Sequence, residues 1–259
     1  TAEAGTTRDA VDETVARLVA VKALGVAGTP DVAEIEVSEN VDATERAMYF
    51  EGGDVASMAR DPLLAHAVER QTVTDRLSIL GHDVRLGRHV LAFFQGNRYL
   101  LAPLVTHVVG ALGSGALALD LYAGVGLFAV SAAICSGFRV TAVEGDKVSA
   151  EDLRANADGA SGPGRVRAVH DAVEAFVAAT RERPDVVVVD PPRTGMSREA
   201  LDGAIRLRSQ RVVYVSCDVA TLARDARRLV DAGYAITALD GFDLFPNTPH
   251  VETVAVFER

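Results

Sequence analysis

Five short apolar runs constrain this chain more than anything else in it. Each ends on polar residues or proline, and helical periodicity lies between them. The runs are ALALDLY (Ala116–Tyr122), RVTAVEGD (Arg139–Asp146), VRAVHDAVE (Val166–Glu174), DVVVVDPP (Asp185–Pro192) and RVVYVSCD (Arg211–Asp218). SAEDLRANA (Ser149–Ala157) and SREALDGAIRL (Ser197–Leu207) are two of the helical segments that separate them. Strands alternating with helices indicate βαβ units and a parallel sheet. Unbroken valine runs suit strands covered on both faces. The expected fold class is therefore α/β, with a Rossmann-like, doubly wound, mostly parallel sheet over residues 98–259. YLLAPLVTHVVGAL (Tyr99–Leu112) reads as a helix feeding that sheet.

Residues 1–97 follow another pattern. DAVDETVARLVAVKAL (Asp9–Leu24) has apolar residues at helical spacing, whereas RLSILGHDVRLGRHVLAFF (Arg76–Phe94) alternates, with Leu-Gly and Gly-His turn points. The expectation is a smaller α+β domain ending near residue 97. A chain of 259 residues accommodates either one large domain or two smaller ones. It begins with Thr1 rather than Met, which leaves room for a preceding module.

In a doubly wound sheet, ligands sit beyond the carboxyl ends of the strands. Asp120–Gly126, Glu144, Asp171, Asp190 and Cys217 should therefore face one crevice. In DLYAGVGLFA (Asp120–Ala129), Gly124, Gly126 and Ala129 fit G-x-G-x-x-A after a strand, and Glu144 ends the next strand, where a carboxylate can hold ribose hydroxyls. The pattern fits a nucleoside ligand without choosing between NAD and S-adenosylmethionine. DPPRTG (Asp190–Gly195) is a rigid turn with two N–H donors removed. It can aim carbonyls and Asp190 at a flat heterocycle, or simply stiffen a β–α loop. A dehydrogenase has no evident use for it, which tilts the cofactor towards S-adenosylmethionine.

Two cysteines cannot make a disulfide framework, a four-cysteine zinc site or an iron–sulfur site within this chain, and no metal is expected. A reduced, cytoplasmic setting fits. Cys135, inside AVSAAICSGF, reads as structural. Cys217 stands at a strand end before a helix, where the helix N-terminus and Arg224 would favour a thiolate nucleophile; a structural role stays open. FPNTPHVETVAVF (Phe245–Phe257) brings His250 and Glu252 to the start of a last strand, as a general base or as a loop cap. No apolar run approaches the ~20 residues of a membrane span. The net charge of −10 argues against non-specific coating of nucleic acid. Arg206, Arg208, Arg211, Arg224, Arg227 and Arg228 form a local basic group that either contacts phosphates or is solvated helix surface.

Together, LAFFQGN (Leu91–Asn97), DLYAGVGLF, VEGD, DPPRTG, YVSCDVATLARD and FPNTPHVE resemble, in order, the motifs of the RNA uracil-C5 methyltransferases, which make 5-methyluridine in tRNA and ribosomal RNA. The resemblance covers roughly residues 91–259. It implies a class I methyltransferase domain, S-adenosylmethionine as cofactor, RNA (rRNA or tRNA) as partner and a monomer. Carried over by motif, Cys217 is the nucleophile and Glu252 the base that removes the C5 proton. Gln95, Tyr122, Gly124, Gly126, Glu144, Asp171 and Asp190 line the cofactor site. Asp190 also faces the uracil, and Arg193 and Arg224 are candidate donors to its enolate. Two motifs depart from the family pattern. Asp218-Val219 replaces Asn-Pro after the cysteine, and an Asp so close to Cys217 is expected to raise the thiol pKa. Ala123 stands where the family often has cysteine. Neither an N-terminal OB-like domain nor an iron–sulfur motif is visible. Two other readings remain: methylation of an exocyclic base nitrogen at the Asp-Pro-Pro turn, and a non-catalytic RNA-binding or folding factor.

Overall fold

The computed structural model describes residues 34–51 and 71–259. The helix expected over residues 9–24 lies outside the described residues. The chain divides into two compact units. One holds its described residues up to Arg76 together with Gly87–Ala92, and the other holds Leu77–Leu86 with Phe93–Arg259.

In the first unit, β1 (Glu34–Glu39) and β2 (Arg46–Glu51) pair antiparallel. Asn40 closes their turn by accepting from the Thr44 and Glu45 N–H groups through Oδ1. The buried pair Arg88–Asp75 (Nε to Oδ2, 2.6 Å) joins in, with Arg88 Nη2 donating to Glu39 O and Val41 N donating to Asp75. An ion pair at this depth needs such added partners to offset its desolvation.

β3 (Thr72–Ile79) and β4 (His82–His89) form a two-stranded hairpin whose side chains alternate between buried and exposed, as period-two patterning requires. Leu80 and Gly81 close it, both with positive φ, the backbone of a tight hairpin turn that matches strand twist. The expected Leu-Gly turn is found there. The second Leu-Gly step, Leu86-Gly87, is inside β4 instead.

The second unit begins with α1 (Arg98–Ala111), capped by Asn97 Oδ1 on the Tyr99 and Leu100 N–H groups. β–α units follow: β5 (Leu117–Leu121), α2 (Leu127–Ser136), β6 (Arg139–Glu144), α3 (Lys147–Gly159), β7 (Arg165–His170), α4 (Val173–Ala179), β8 (Val186–Val189), α5 (Arg198–Leu207), β9 (Arg211–Ser216) and α6 (Val219–Asp231). The chain ends in β10 (Ala235–Phe242) and β11 (Glu252–Glu258). The sheet order is β10-β11-β9-β8-β5-β6-β7, with β5 to β9 parallel and β11 running antiparallel to both its neighbours, β9 and β10. This is the Rossmann-like, doubly wound fold that the strand–helix alternation predicts. The edge strand β10 is an addition to that expectation: its residues are mostly exposed, so burial does not mark it in the sequence.

The four valines of β8 are all buried, as a central strand demands. On one face Val187 and Val189 pack with Val173, Phe176, Leu201, Ala204, Leu222 and Leu229 from α4, α5 and α6. Strand order reverses between β5 and β8, where β6 and β7 run to one side and β9 to the other. That switch point opens a crevice at the carboxyl ends, where ligands bind in such sheets.

Candidate functional site

Directly after β5 the backbone turns sharply. Tyr122 (φ 63°), Gly124 (φ 54°) and Gly126 (φ 94°) are all left-handed. For Tyr122, as a non-glycine, this conformation costs roughly 1–2 kcal/mol and persists only where its surroundings over-determine it. A Cβ at Gly126 would be strained by the backbone and would lie 2.8 Å from Leu153 Cδ1, so that side chain would have to shift. Asn156 Nδ2 pins the turn from α3 by donating to Val125 O (2.9 Å). Glu144 sits at the end of β6 and accepts from Gly124 N (2.7 Å) and Asp146 N (2.7 Å). Asp171 follows β7 and is exposed, with its N–H on Glu144 O.

Several polar side-chain atoms are buried without partners. Both oxygens of Asp120, Oε1 of Gln95 and Oε1 of Glu252 make no hydrogen bond. Burial pushes the Asp120 carboxyl up to about 8. The Ala129 N–H offsets part of that without reaching hydrogen-bond geometry, and the charge of Glu144 adds to the rise. Leaving such a group unpaired costs about 1–3 kcal/mol, so buried acceptors of this kind mark where a ligand's donors belong. Asp120 is the residue that sequence reasoning placed in the crevice without giving it a role. Its signal is a carboxylate inside an otherwise apolar strand.

The third group gathers at the ends of β8, β9 and β11. Cys217 immediately follows β9. Thr253 of β11 pairs with Ser216 of β9, so Glu252 lies level with Cys217 in the antiparallel register. Glu252 is 1% exposed, and burial raises its carboxyl to about 7. Asp190, after β8, is held well above the usual carboxylate range by burial first, then by the charges of Glu252 and Asp120. The Cys217 thiol is pushed up by burial and then by Glu252, with Asp190 a smaller contribution; the nearby Arg193 guanidinium works the other way.

Two expectations change here. Asp218 is not among the largest influences on the thiol. Its carboxylate turns into α6 as the N-cap, accepting from Ala220 N (3.0 Å) and Thr221 N (2.8 Å), and those bonds lower its own pKa. The cation beside Cys217 is Arg193, not Arg224. Arg224 is bound to Asp225 Oδ1 (2.8 Å) and to the carbonyls of Thr194 and Met196 (each 3.1 Å). With Tyr122, Glu174, Ser197 and Arg228 it lines a separate cavity of about 660 Å³ that Cys217, Glu252 and Asp190 do not line. His250 is half-buried against Phe245 (ring centroids 6.3 Å apart), and its N–H donates to Thr248 Oγ1. The loop before β11 is tied down at its start by Asn97 Nδ2, which donates to Leu244 O (3.2 Å). Thus the LAFFQGN segment caps α1 and fixes the loop that leads to Glu252.

Residues 177–259 match the model of the tRNA (uracil-5-)-methyltransferase family. Among curated proteins, the chain is 40% identical over 170 residues to an RNA methyltransferase of Thermotoga maritima, covering 65% of this chain and 38% of that one. It is 42% identical over 183 residues to one of Streptomyces avermitilis, covering 69% and 41%. The chain therefore spans well under two-thirds of these relatives. Among solved structures, the tRNA (uracil-54, C5)-methyltransferase of Pyrococcus abyssi, in complex with S-adenosyl-L-homocysteine, superposes with a TM-score of 0.64 at 26% identity, covering 85% of this chain and 58% of that one. The tRNA m1G37 methyltransferase of M. jannaschii, at 12% identity and a TM-score of 0.57, shares the fold. Among the described residues, no helix is long and apolar enough to cross a membrane. The resemblance read from the motifs holds over residues 177–259, which match the tRNA (uracil-5-)-methyltransferase family, and the chain has the class I methyltransferase fold.

Proposed function

We propose that the chain methylates C5 of a uridine in rRNA or tRNA with S-adenosylmethionine, through a covalent bond between Cys217 and C6, and that residues 98–259 carry this activity. The observation that carries the reading is the cluster of Cys217, Glu252, Asp190 and Arg193 at neighbouring strand ends. A nucleophile, a proton acceptor with a pKa near neutrality and a cation meet there.

The cofactor fits the crevice on chemical grounds. The partnerless acceptors of Asp120 and Gln95 suit a ligand carrying an ammonium, an amine and hydroxyl donors, and the left-handed turn at Tyr122, Gly124 and Gly126 lets that ligand approach backbone. Glu144 and Asp171 would take ribose and adenine. S-adenosylmethionine, when bound, supplies an electrophilic methyl group to the C5 that the protein presents.

Uracil C5 is a weak nucleophile. Addition of the Cys217 thiolate to C6 moves the ring electrons towards C5 and O4, so one hard step becomes two easier ones. Arg193 lowers the cost of ionising the thiol and is the candidate donor to the developing charge. Asp190 would orient the ring. After methyl transfer, C5 holds both a proton and the methyl group. Glu252 accepts that proton, and the electron pair of the C5–H bond expels Cys217 from C6. With its pKa near 7, Glu252 is available as a base close to neutrality. The thiol attacks from the face of the ring, so the uridine must be unstacked or flipped out.

The test is nucleoside analysis of pooled rRNA and tRNA after incubation with S-adenosylmethionine and the protein. Appearance of 5-methyluridine, absent with Cys217→Ala, supports the reading. Methyl transfer only to a base nitrogen would overturn it.

A further inference from the structure

We infer that Asp225, on α6, is a positioning residue for the reaction: it fixes the Asp190–Met196 turn relative to Cys217. This rests on the uracil-C5 reading above. Asp225 is 1% exposed and lies far along the helix that Cys217 precedes. Its Oδ2 accepts from Tyr214 Oη on β9 (2.7 Å) and from Met196 N in the turn (2.9 Å). Its Oδ1 accepts from Arg224 Nε (2.8 Å), and Arg224 Nη2 donates onward to the carbonyls of Thr194 and Met196. One helical turn earlier, Thr221 Oγ1 donates to Arg193 O (3.2 Å). Thr221, Arg224 and Asp225 stand at i, i+3 and i+4, so one face of α6 grips the turn by its backbone.

The turn is shaped for that grip. Gly195 has φ 74° and donates to Pro192 O (2.8 Å), and a Cβ there would fall 2.5 Å from Arg224 Nη2 and 2.9 Å from Asp225 Oδ2. The consequence reaches the reacting atoms through Arg193. Its backbone is held by Thr221, and its guanidinium favours the ionised Cys217 thiol. Cys217 and Arg193 are thus referenced to the same helix, and Asp225 is the buried centre of the contacts that hold them there. The groups facing the thiol are Arg193 and Asp190 from the turn and Glu252 from β11.

The experiment compares wild type with Asp225→Asn, each in a Cys135→Ala background so that one thiol reports. Asparagine keeps the shape but turns an N–H₂ towards groups that are themselves donors. Two quantities are read: the rate of covalent adduct formation on RNA containing 5-fluorouridine with S-adenosylmethionine present, and the pH midpoint for iodoacetamide alkylation of Cys217 without RNA. The expected result is adduct formation slower by about a hundredfold, the scale of a misplaced reacting group. The alkylation midpoint should also rise, because Arg193 no longer sits on the thiol, while the circular dichroism spectrum stays native. A folded Asp225→Asn variant with an unchanged midpoint overturns the inference. Should Asp225→Asn fail to fold, Thr221→Val keeps the Asp225 contacts and removes the hydroxyl's bonds to Arg193 O and Asp218 O. A raised midpoint in that variant supports the inference, and no change refutes it. The alkylation midpoint needs no RNA chemistry. A wild type that forms no adduct therefore counts against the uracil-C5 reading, while the midpoint still decides the positioning role.

Discussion

Replacing Glu252 by glutamine should stabilise the protein in alkaline solution and not in acid. Glu252 is 1% exposed, and burial raises its carboxyl from 4.5 to about 7. The folded state therefore holds a proton that the unfolded chain releases between those values. Stability rises with pH where the unfolded state binds more protons; here it binds fewer, so this group's contribution falls as pH climbs from about 4.5 to about 7 and is level above that. At about 1.4 kcal/mol for each tenfold change, the loss between roughly pH 5 and pH 8.5 is about 2–3 kcal/mol. Glutamine does not titrate. Urea unfolding of both proteins at the two pH values gives the double difference directly, and it cancels the contributions of Asp120 and Asp190 to the extent that they are common to both. The variant should gain about 2–3 kcal/mol on wild type at the higher pH. A double difference below about 0.5 kcal/mol, or a gain at the lower pH, would refute the claim that Glu252 is buried as a near-neutral acid.

Further outcomes follow from the same contacts. Glu252→Gln should also let Cys217 adducts accumulate on RNA with ordinary uridine, visible on denaturing gels, because the C5 proton has no acceptor. Cys217→Ser should abolish methyl transfer, since a serine hydroxyl ionises far less readily than a thiol; methylation of a base nitrogen would instead survive it, and nucleoside analysis separates the two. Gly195→Ala should lose roughly 1–3 kcal/mol in urea titrations, from the left-handed backbone together with the clash with Arg224 and Asp225. Asp218→Ala should weaken α6 by removing its N-cap yet leave the alkylation pH midpoint of Cys217 in place, because Asp218 is not among the largest influences on it.

Periodicity carries the architecture. The valine run at Val186–Val189 is apolar without interruption because both faces of a central strand are covered, and that requirement is written one residue at a time. Asp120, Glu144, Asp190 and Cys217 are likewise legible as strand-end residues, since each ends or follows an apolar run. What sequence cannot rank is direction in space. In sequence Arg224 reads as the cation beside Cys217, and Arg193 and Arg224 read alike as donors to the enolate. Their separation depends on the left-handed Gly195 turn and on Asp225, which claims Arg224. Asp218 is next to Cys217 in the chain but aims its carboxylate along α6, so proximity in sequence misjudged its effect. Glu252 and Cys217 are 35 positions apart and meet only because β11 runs antiparallel beside β9. The edge strand β10 escaped notice because an exposed strand has no buried stripe.

The central claim is that Cys217 attacks C6 of a uracil. Its most direct test is mass spectrometry of the Cys217 peptide after incubation with S-adenosylmethionine and rRNA or tRNA transcripts made with 5-fluorouridine. Fluorine cannot leave C5 as a cation, so the reaction should stop with the RNA bonded to the thiol. The account predicts a peptide carrying a methylated fluorouridine nucleotide on Cys217, and none on Cys135. A Cys217 peptide that stays unmodified while methyl groups appear on the RNA would contradict it.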